Sequence, residues 1–217
     1  MLKILLCFSL ILQNTCFGVE ESQQIRKQEI VRKTEPGYSG IFEALTIGIN
    51  DRIITGYYEN YRGELIEGGA PQFSCAFYLE GELKDDKYEI KVVYPDIDYK
   101  IEGFIEFTRF EDKPAVFMKL NEDPPGCANV EPKSFVEGVF LTANQKGTWR
   151  EIRLVRKDKT FFYKNPDSRA RTKTYVIKHD PVRLFEIKDG WTKVEVETRK
   201  GKKIDGWVRL EDLYPSN

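Results

Sequence analysis

The sequence predicts an all-β protein: an N-terminal antiparallel β-barrel or sandwich of about eight strands, followed by a small C-terminal β-barrel. Three observations predict this class. Apolar and polar residues alternate over short stretches, as in "YEIKVVY" at residues 88–94. Turn-forming segments such as "EGGAP", "FEDKP" and "NQKG" separate these stretches. Apolar residues at helical spacing are scarce, so we expect strands joined by tight turns.

The first residues, 1–18, are typical of a secretory signal peptide. A short basic start precedes an apolar run at residues 4–12, and small residues at Cys16 and Gly18 suit cleavage after Gly18. The apolar run is far shorter than the roughly 20 residues of a membrane-spanning helix. Lipid attachment at Cys16 is the alternative, although "QNT" before it fits that poorly. We therefore expect a periplasmic or secreted protein without a membrane span.

After the signal peptide, residues 19–36 are polar and charged, which predicts a flexible arm or at most a short helix. The next domain, residues 37–155, is predicted to be a meander that closes on itself. Its predicted strands lie at residues 41–47, 52–61, 72–80, 88–94, 99–108, 115–121, 134–142 and 149–154.

Charge divides the chain at about the same boundary. Residues 35–152 contain 12 Lys+Arg against 22 Asp+Glu, a net charge of −10, whereas residues 153–217 contain 17 against 10, a net charge of +7. An acidic domain is therefore followed by a basic module, residues 156–217. Attraction between the two domains is one possible use of these charges, and it would leave neither surface free for a partner.

The chain after the signal peptide keeps two cysteines, Cys75 and Cys127. In an exported protein two cysteines first indicate one disulfide. A nucleophilic cysteine is the alternative, but Cys75 alternates with Phe73, Phe77 and Leu79 on one apolar strand face. We therefore predict a Cys75–Cys127 disulfide.

The last part of the chain resembles the bacterial SH3-like domain family between residues 159 and 214. Two Gly-Trp pairs flank a strand and a charged tip in "DGWTKVEVETRKGKKIDGW", residues 189–207. Gly190 is predicted to supply a positive φ in a tight turn, and "RKGKK" to form a solvated hairpin tip. The residues that carry the resemblance are Phe162, Tyr163, Pro166, Asp180, Val182, the "DGW" hairpin, and the Gly206-Trp207 pair with Leu213.

The resemblance implies a binding accessory that recognises cell-wall peptide or glycan, or a protein partner. The aromatic residues Tyr163, Trp191 and Trp207 are the candidates for a binding groove, although they could instead fill the barrel core. His179 stands where the family usually has glycine, and we expect it in a turn with an unusual backbone angle. It is the one histidine of the chain, which argues against Ser-His or Cys-His nucleophiles and histidine-rich zinc sites.

The most distinctive segment of the acidic domain is "LNEDPPGCANVEPKSF", residues 120–135. Its prolines and the predicted disulfide would stiffen a loop that begins with Glu122 and Asp123. A rigid acidic loop suits a basic protein partner, because prior ordering lowers the entropy cost of binding. An inhibitor or immunity protein against a cationic cell-wall hydrolase or toxin is therefore the alternative function.

A second alternative is an enzyme that uses a carboxylate pair, such as Asp96 with Asp98 or Glu102 with Glu106. With so many acids in the domain, such pairs arise by chance. No phosphate loop, cofactor fingerprint, metal-ligand motif or nucleic-acid motif accompanies them, so we predict no cofactor and no nucleic-acid partner. The sequence therefore favours an exported, non-enzymatic binding protein.

Overall fold

The computed structural model describes residues 36–65, 71–198 and 201–215. The predicted signal peptide, residues 1–18, and the predicted arm up to residue 35 lie outside the described residues. The strands are β1 (Gly40–Phe42), β2 (Leu45–Asn50), β3 (Ile53–Leu65), β4 (Pro71–Lys84), β5 (Lys87–Tyr94), β6 (Ile97–Phe110), β7 (Lys113–Leu120), β8 (Val139–Lys146), β9 (Glu151–Leu154), β10 (Lys159–Tyr163), β11 (Arg171–Ile177), β12 (Pro181–Lys188), β13 (Trp191–Glu197) and β14 (Lys203–Arg209). Short 3-10 turns lie at Cys127–Asn129, Ser168–Ala170 and Leu210–Asp212.

Strands β1–β8 form a closed barrel, in which each strand pairs antiparallel with the next and β8 returns to pair with β1. This confirms the predicted all-β class and the closing meander. Alternation decides which side chains face inward: on β5, Tyr88, Ile90 and Val92 are buried while the residues between them are exposed. Aromatic and aliphatic side chains pack the barrel interior into one continuous core.

The barrel has eight strands, as predicted, but they are not all the segments that were predicted. The stretch 41–47 is two strands, because the chain turns at Glu43 with a φ of 51°. The Glu43 carboxylate supports this turn: its Oε1 accepts hydrogen bonds from the backbone N and the Oγ1 of Thr142, both at 2.8 Å. No glycine, proline or asparagine marks the turn, so residue type alone did not indicate it.

Two further predicted strands were wrong in extent or placement. The predicted strand 134–142 begins only at Val139, because residues 121–138 form a loop, named here the Cys127 loop. The predicted strand 149–154 forms as β9, but it pairs with β12 in the second sheet rather than within the barrel.

Strands β9–β14 form the second sheet, named here the C-terminal sheet, with the order β11-β10-β14-β13-β12-β9. Its buried core includes Phe162, Val182, Val194 and Val208. Asp189 and Gly190 join β12 to β13 with φ of 48° and 78°, the two-residue hairpin turn that matches strand twist. His179 has a φ of 70°, which confirms the predicted turn position.

The C-terminal sheet packs directly on the barrel through β9. The buried Ile152 donates its backbone N–H to Thr55 Oγ1 at 2.7 Å, and the Trp149 indole donates to the Ile47 carbonyl at 2.8 Å. A Cβ at Gly48 would lie 2.6 Å from the Cα of Glu151, so this close approach requires glycine. Barrel and sheet are therefore joined by buried polar contacts.

Charge attraction adds to this junction at one exposed point. Asp96, in the turn between β5 and β6, lies 2.9 Å from the Lys178 ammonium, 3.0 Å from His179 Nε2 and 3.1 Å from the Tyr214 hydroxyl. The hydrogen bond from Lys178 is the main reason that the pKa of Asp96 is lowered. At these residues, opposite charges of the barrel and the C-terminal sheet therefore attract each other.

Candidate binding surface

The three aromatic residues singled out from the sequence lie on one side of the C-terminal sheet. Tyr163 on β10 pairs with Trp207 on β14, and its ring lies 4.7 Å from the Trp191 ring on β13. All three point away from the core, because the buried side chains Phe162, Val194 and Val208 alternate with them. We name this side of β10, β11, β13 and β14 the aromatic face.

The three residues differ in how much surface they offer. Trp191 is only 8% exposed, so most of its area stabilises the sheet. Tyr163 and Trp207 are half-buried and keep accessible ring surface. Trp191 is therefore mainly structural, whereas ligand binding by Tyr163 and Trp207 stays a prediction.

A cleft of about 590 Å³ lies beside Trp191. Three guanidinium-bearing residues line it: Arg153, Arg156 and Arg209. Arg209 stacks on Trp191, with its guanidinium carbon 4.7 Å from the ring centroid, and Arg153 is paired with Glu151 at 2.6 Å. Asp189 and Glu211 line the same cleft. Planar guanidinium groups suit carboxylate or phosphate groups, and Arg209 places one at the edge of the aromatic face.

The aromatic face also includes residues that were not among the predicted binding residues. Phe161 on β10 pairs with Tyr175 on β11, and Tyr175 is 47% exposed. The Lys159 ammonium lies 3.8 Å from the Tyr175 ring centroid, and the Arg171 guanidinium lies 4.7 Å from that of Phe161. A signal was present in the sequence: Lys159, Phe161, Arg171, Lys173 and Tyr175 occupy alternate positions of two consecutive strands.

The predicted disulfide is confirmed, since Cys75 on β4 is bonded to Cys127 in the Cys127 loop. The loop turns inward over one end of the barrel. Its Phe135 is fully buried, with edge-to-face contacts to Tyr58 and Phe77 at 5.3 and 5.6 Å. The loop is therefore part of the barrel core as well as a surface feature.

The acidic residues of the Cys127 loop have different surroundings. Both carboxylate oxygens of Asp123 accept hydrogen bonds at 2.7 Å, one from Ser134 Oγ and one from the Phe135 backbone N. Glu131 accepts a hydrogen bond from Asn60 Nδ2 at 2.9 Å. Burial is the main reason that the pKa of Tyr58 is raised, and Glu131 adds to the effect. Glu122 is exposed, and its hydrogen bond is the main reason that the pKa of Tyr99 is raised. The hydrogen bonds of Glu122 and Asp123 lie within the barrel and its loop, away from the aromatic face.

A second groove, of about 580 Å³, lies between the barrel and the C-terminal sheet. The barrel lines it with Tyr57, Tyr61 and the exposed Glu59. The sheet contributes Arg183, whose guanidinium is held by Glu195 at 2.9 Å and by Glu197 at 3.2 Å. Burial is the main reason that the pKa of Tyr57 is raised, with the nearby Glu59 adding to the effect.

Of the carboxylate pairs considered for catalysis, Asp96 and Asp98 line one cleft of about 460 Å³. Asp96 is held by Lys178, His179 and Tyr214 at the junction. Within the described ranges, no group of three or more His, Cys, Asp or Glu side chains is arranged to hold a metal ion. The aromatic face, with its rings and cations, is the candidate binding surface.

Comparison with known proteins returned no matching family model, no matching curated protein and no matching solved structure. The resemblance to the SH3-like family thus depends on the residues quoted above and stays a prediction. In the part of the chain that the structure describes, no helix has the length and apolar character required to cross a bilayer.

Proposed function

We propose that the protein is an exported, non-enzymatic binding protein whose aromatic face contacts cell-wall material or a protein partner. One observation carries the proposal: Tyr163, Trp191 and Trp207 come together from three strands and are bordered by Arg209. Rings that are half-buried and fixed by neighbours offer contact area at a low entropy cost. The Cys75–Cys127 disulfide supports export, because such bonds persist in oxidising compartments.

The test is retention of the purified protein on insoluble peptidoglycan. Trp207→Ala removes accessible ring surface from the aromatic face, and we expect the dissociation constant to rise at least about tenfold. Phe73→Ala is the matched control, because Phe73 is a 41% exposed aromatic residue of the barrel. Equal retention of both variants and the wild type would contradict a role for the aromatic face. Absence of wild-type retention would exclude cell wall and leave the protein partner.

The groove between barrel and sheet supports a second candidate function, an inhibitor or immunity protein that binds a cationic hydrolase or toxin. Tyr57, Tyr61 and Glu59 offer rings beside an exposed carboxylate, a combination that suits a lysine or arginine side chain. With a basic hydrolase such as egg-white lysozyme as the probe, we expect binding that weakens with salt and with Glu59→Gln. Binding that is unaffected by Glu59→Gln would exclude this groove.

A further inference from the structure

Residues 156–178, which include β10 and β11, hold most of the net positive charge of the C-terminal part. Residues 156–178 contain eight Lys+Arg against two Asp+Glu, a net charge of +6. Several of these cations already have carboxylate partners: Arg169 pairs with Asp167 at 2.8 Å, Lys178 pairs with Asp96 and Lys157 pairs with Asp212. In the described part of the chain, Lys159, Lys164, Arg171 and Lys173 have no carboxylate within ion-pair distance. These four we name the unpaired cations.

Two of the unpaired cations are held in place by aromatic rings. Lys159 lies 3.8 Å above Tyr175, and Arg171 lies 4.7 Å from Phe161. A cation that is stacked on a ring has already lost part of its side-chain entropy, so an incoming anion meets an ordered partner. Phe161 and Tyr175 therefore position charge on this face, although Tyr175 itself stays 47% exposed.

Free ring surface lies on the next strands of the same face. Arg171 on β11 pairs with Tyr163 on β10. Tyr163 pairs with Trp207 on β14, and Trp207 pairs with the exposed Lys193 on β13. Neighbouring strands are about 4.8 Å apart, so the path from β11 to β13 is about 15 Å long. Along that path a cation lies at each end, and the two half-buried rings lie side by side between them.

We propose that the aromatic face binds an acidic polysaccharide, that is, a chain of sugar rings carrying repeated carboxylate, sulfate or phosphate groups. This inference rests on the proposed function and names the class of its partner. The sugar rings would stack on Tyr163 and Trp207. The repeated anions would pair with the unpaired cations and so relieve the repulsion among those cations. A lipid surface fits less well, because the strongly exposed apolar residues of this face, Tyr175 and Ile177, lie on the edge strand β11 alone.

The experiment measures binding of the purified protein to polygalacturonate, with dextran of similar length as the neutral probe, over a series of salt concentrations. We expect binding to polygalacturonate that weakens steeply with salt and at least tenfold weaker binding to dextran. The double variant Lys159→Gln/Arg171→Gln should weaken polygalacturonate binding at least tenfold and flatten its salt dependence. Arg169→Gln is the matched control, since it removes a cation of the same hairpin that is already paired with Asp167, and it should change binding less than twofold.

The outcomes separate this inference from the proposed function. Equal binding to dextran and polygalacturonate, or equal losses in the double variant and in Arg169→Gln, would overturn the acidic polysaccharide while leaving Trp207-dependent binding intact. Binding to anionic lipid vesicles or to an acidic protein, without binding to polygalacturonate, would overturn it as well. If peptidoglycan and both polysaccharides are bound without any dependence on Trp207, the proposed function itself fails.

Discussion

The Cys127 loop and the aromatic face both carry charged side chains, but the fold uses these charges differently. In the loop, Asp123 and Glu131 accept hydrogen bonds that hold the loop on the barrel. On the aromatic face, Lys159 and Arg171 rest on rings without a carboxylate partner among the described residues. A charged group that makes its hydrogen bonds within the protein stabilises the fold, whereas a charged group without such contacts is available to a binding partner.

The variant with the largest expected effect removes the disulfide that tethers the Cys127 loop. In Cys75→Ala/Cys127→Ala, a crosslink between residues 52 positions apart is lost. We expect the free energy of unfolding to fall by about 4 kcal/mol, because the unfolded chain regains the entropy that the crosslink removed. Urea denaturation measures this. A loss below about 1 kcal/mol would show that the packing of Phe135 fixes the loop without the disulfide.

A sharper test compares two neighbouring acids of the loop. Asp123→Ala leaves the Phe135 backbone N–H and the Ser134 hydroxyl without their acceptor, and we expect a loss of about 3 kcal/mol in unfolding free energy. Glu122→Ala removes the same charge from an exposed side chain and should cost less than about 0.5 kcal/mol. Equal effects in denaturation would mean that Asp123 is not committed to the loop. A partner-binding role for Asp123 would then remain as predicted from the sequence.

Two buried threonine hydroxyls differ in a similar way, because one is hydrogen-bonded and the other, within the described part of the chain, is not. Thr55 is 1% exposed and accepts the Ile152 backbone N–H, so Thr55→Val should lower the unfolding free energy by about 1.5 kcal/mol. Thr160 is equally buried, but its hydroxyl has no hydrogen-bond partner among the described residues. Thr160→Val should therefore be neutral or stabilising, because it removes an unsatisfied polar group. Thermal denaturation of both variants measures this difference. A larger loss of stability in Thr160→Val than in Thr55→Val would contradict the expectation.

The smallest expected effect concerns the exposed ion pair at the junction. The folded-state pKa of Asp96 is lowered, so its contribution to stability is present above about pH 4 and is lost as the pH falls through the folded-state value. Asp96→Asn should therefore lower the melting temperature slightly at pH 7, and the difference from wild type should disappear at pH 2. A difference that stays constant between pH 2 and pH 7 would show that Asp96 acts through its neutral hydrogen bonds.

Much of the architecture could be predicted from the sequence, for identifiable physical reasons. Period-two alternation fixed which residues of β5 enter the core, and Asp189-Gly190 specified a hairpin turn. The turn at Glu43 could not be predicted, because a hydrogen bond to Thr142, distant in sequence, supports it. The aromatic residues Tyr163 and Trp207 were found, but Lys159 and Arg171 were missed, since their lack of carboxylate partners depends on where every acid lies in space.

The sequence by itself determined the all-β class, the closing meander, the Cys75–Cys127 pairing and the division of charge. These properties follow from local alternation, turn residues and composition, each of which can be read along the chain. The tertiary structure alone decided that β9 belongs with β12, that Asp123 is held inside its loop, and that Lys159 and Arg171 stand on rings. Those outcomes depend on which distant groups meet, and a hydrogen bond or an ion pair over a few ångströms is set by the folded arrangement rather than by sequence spacing.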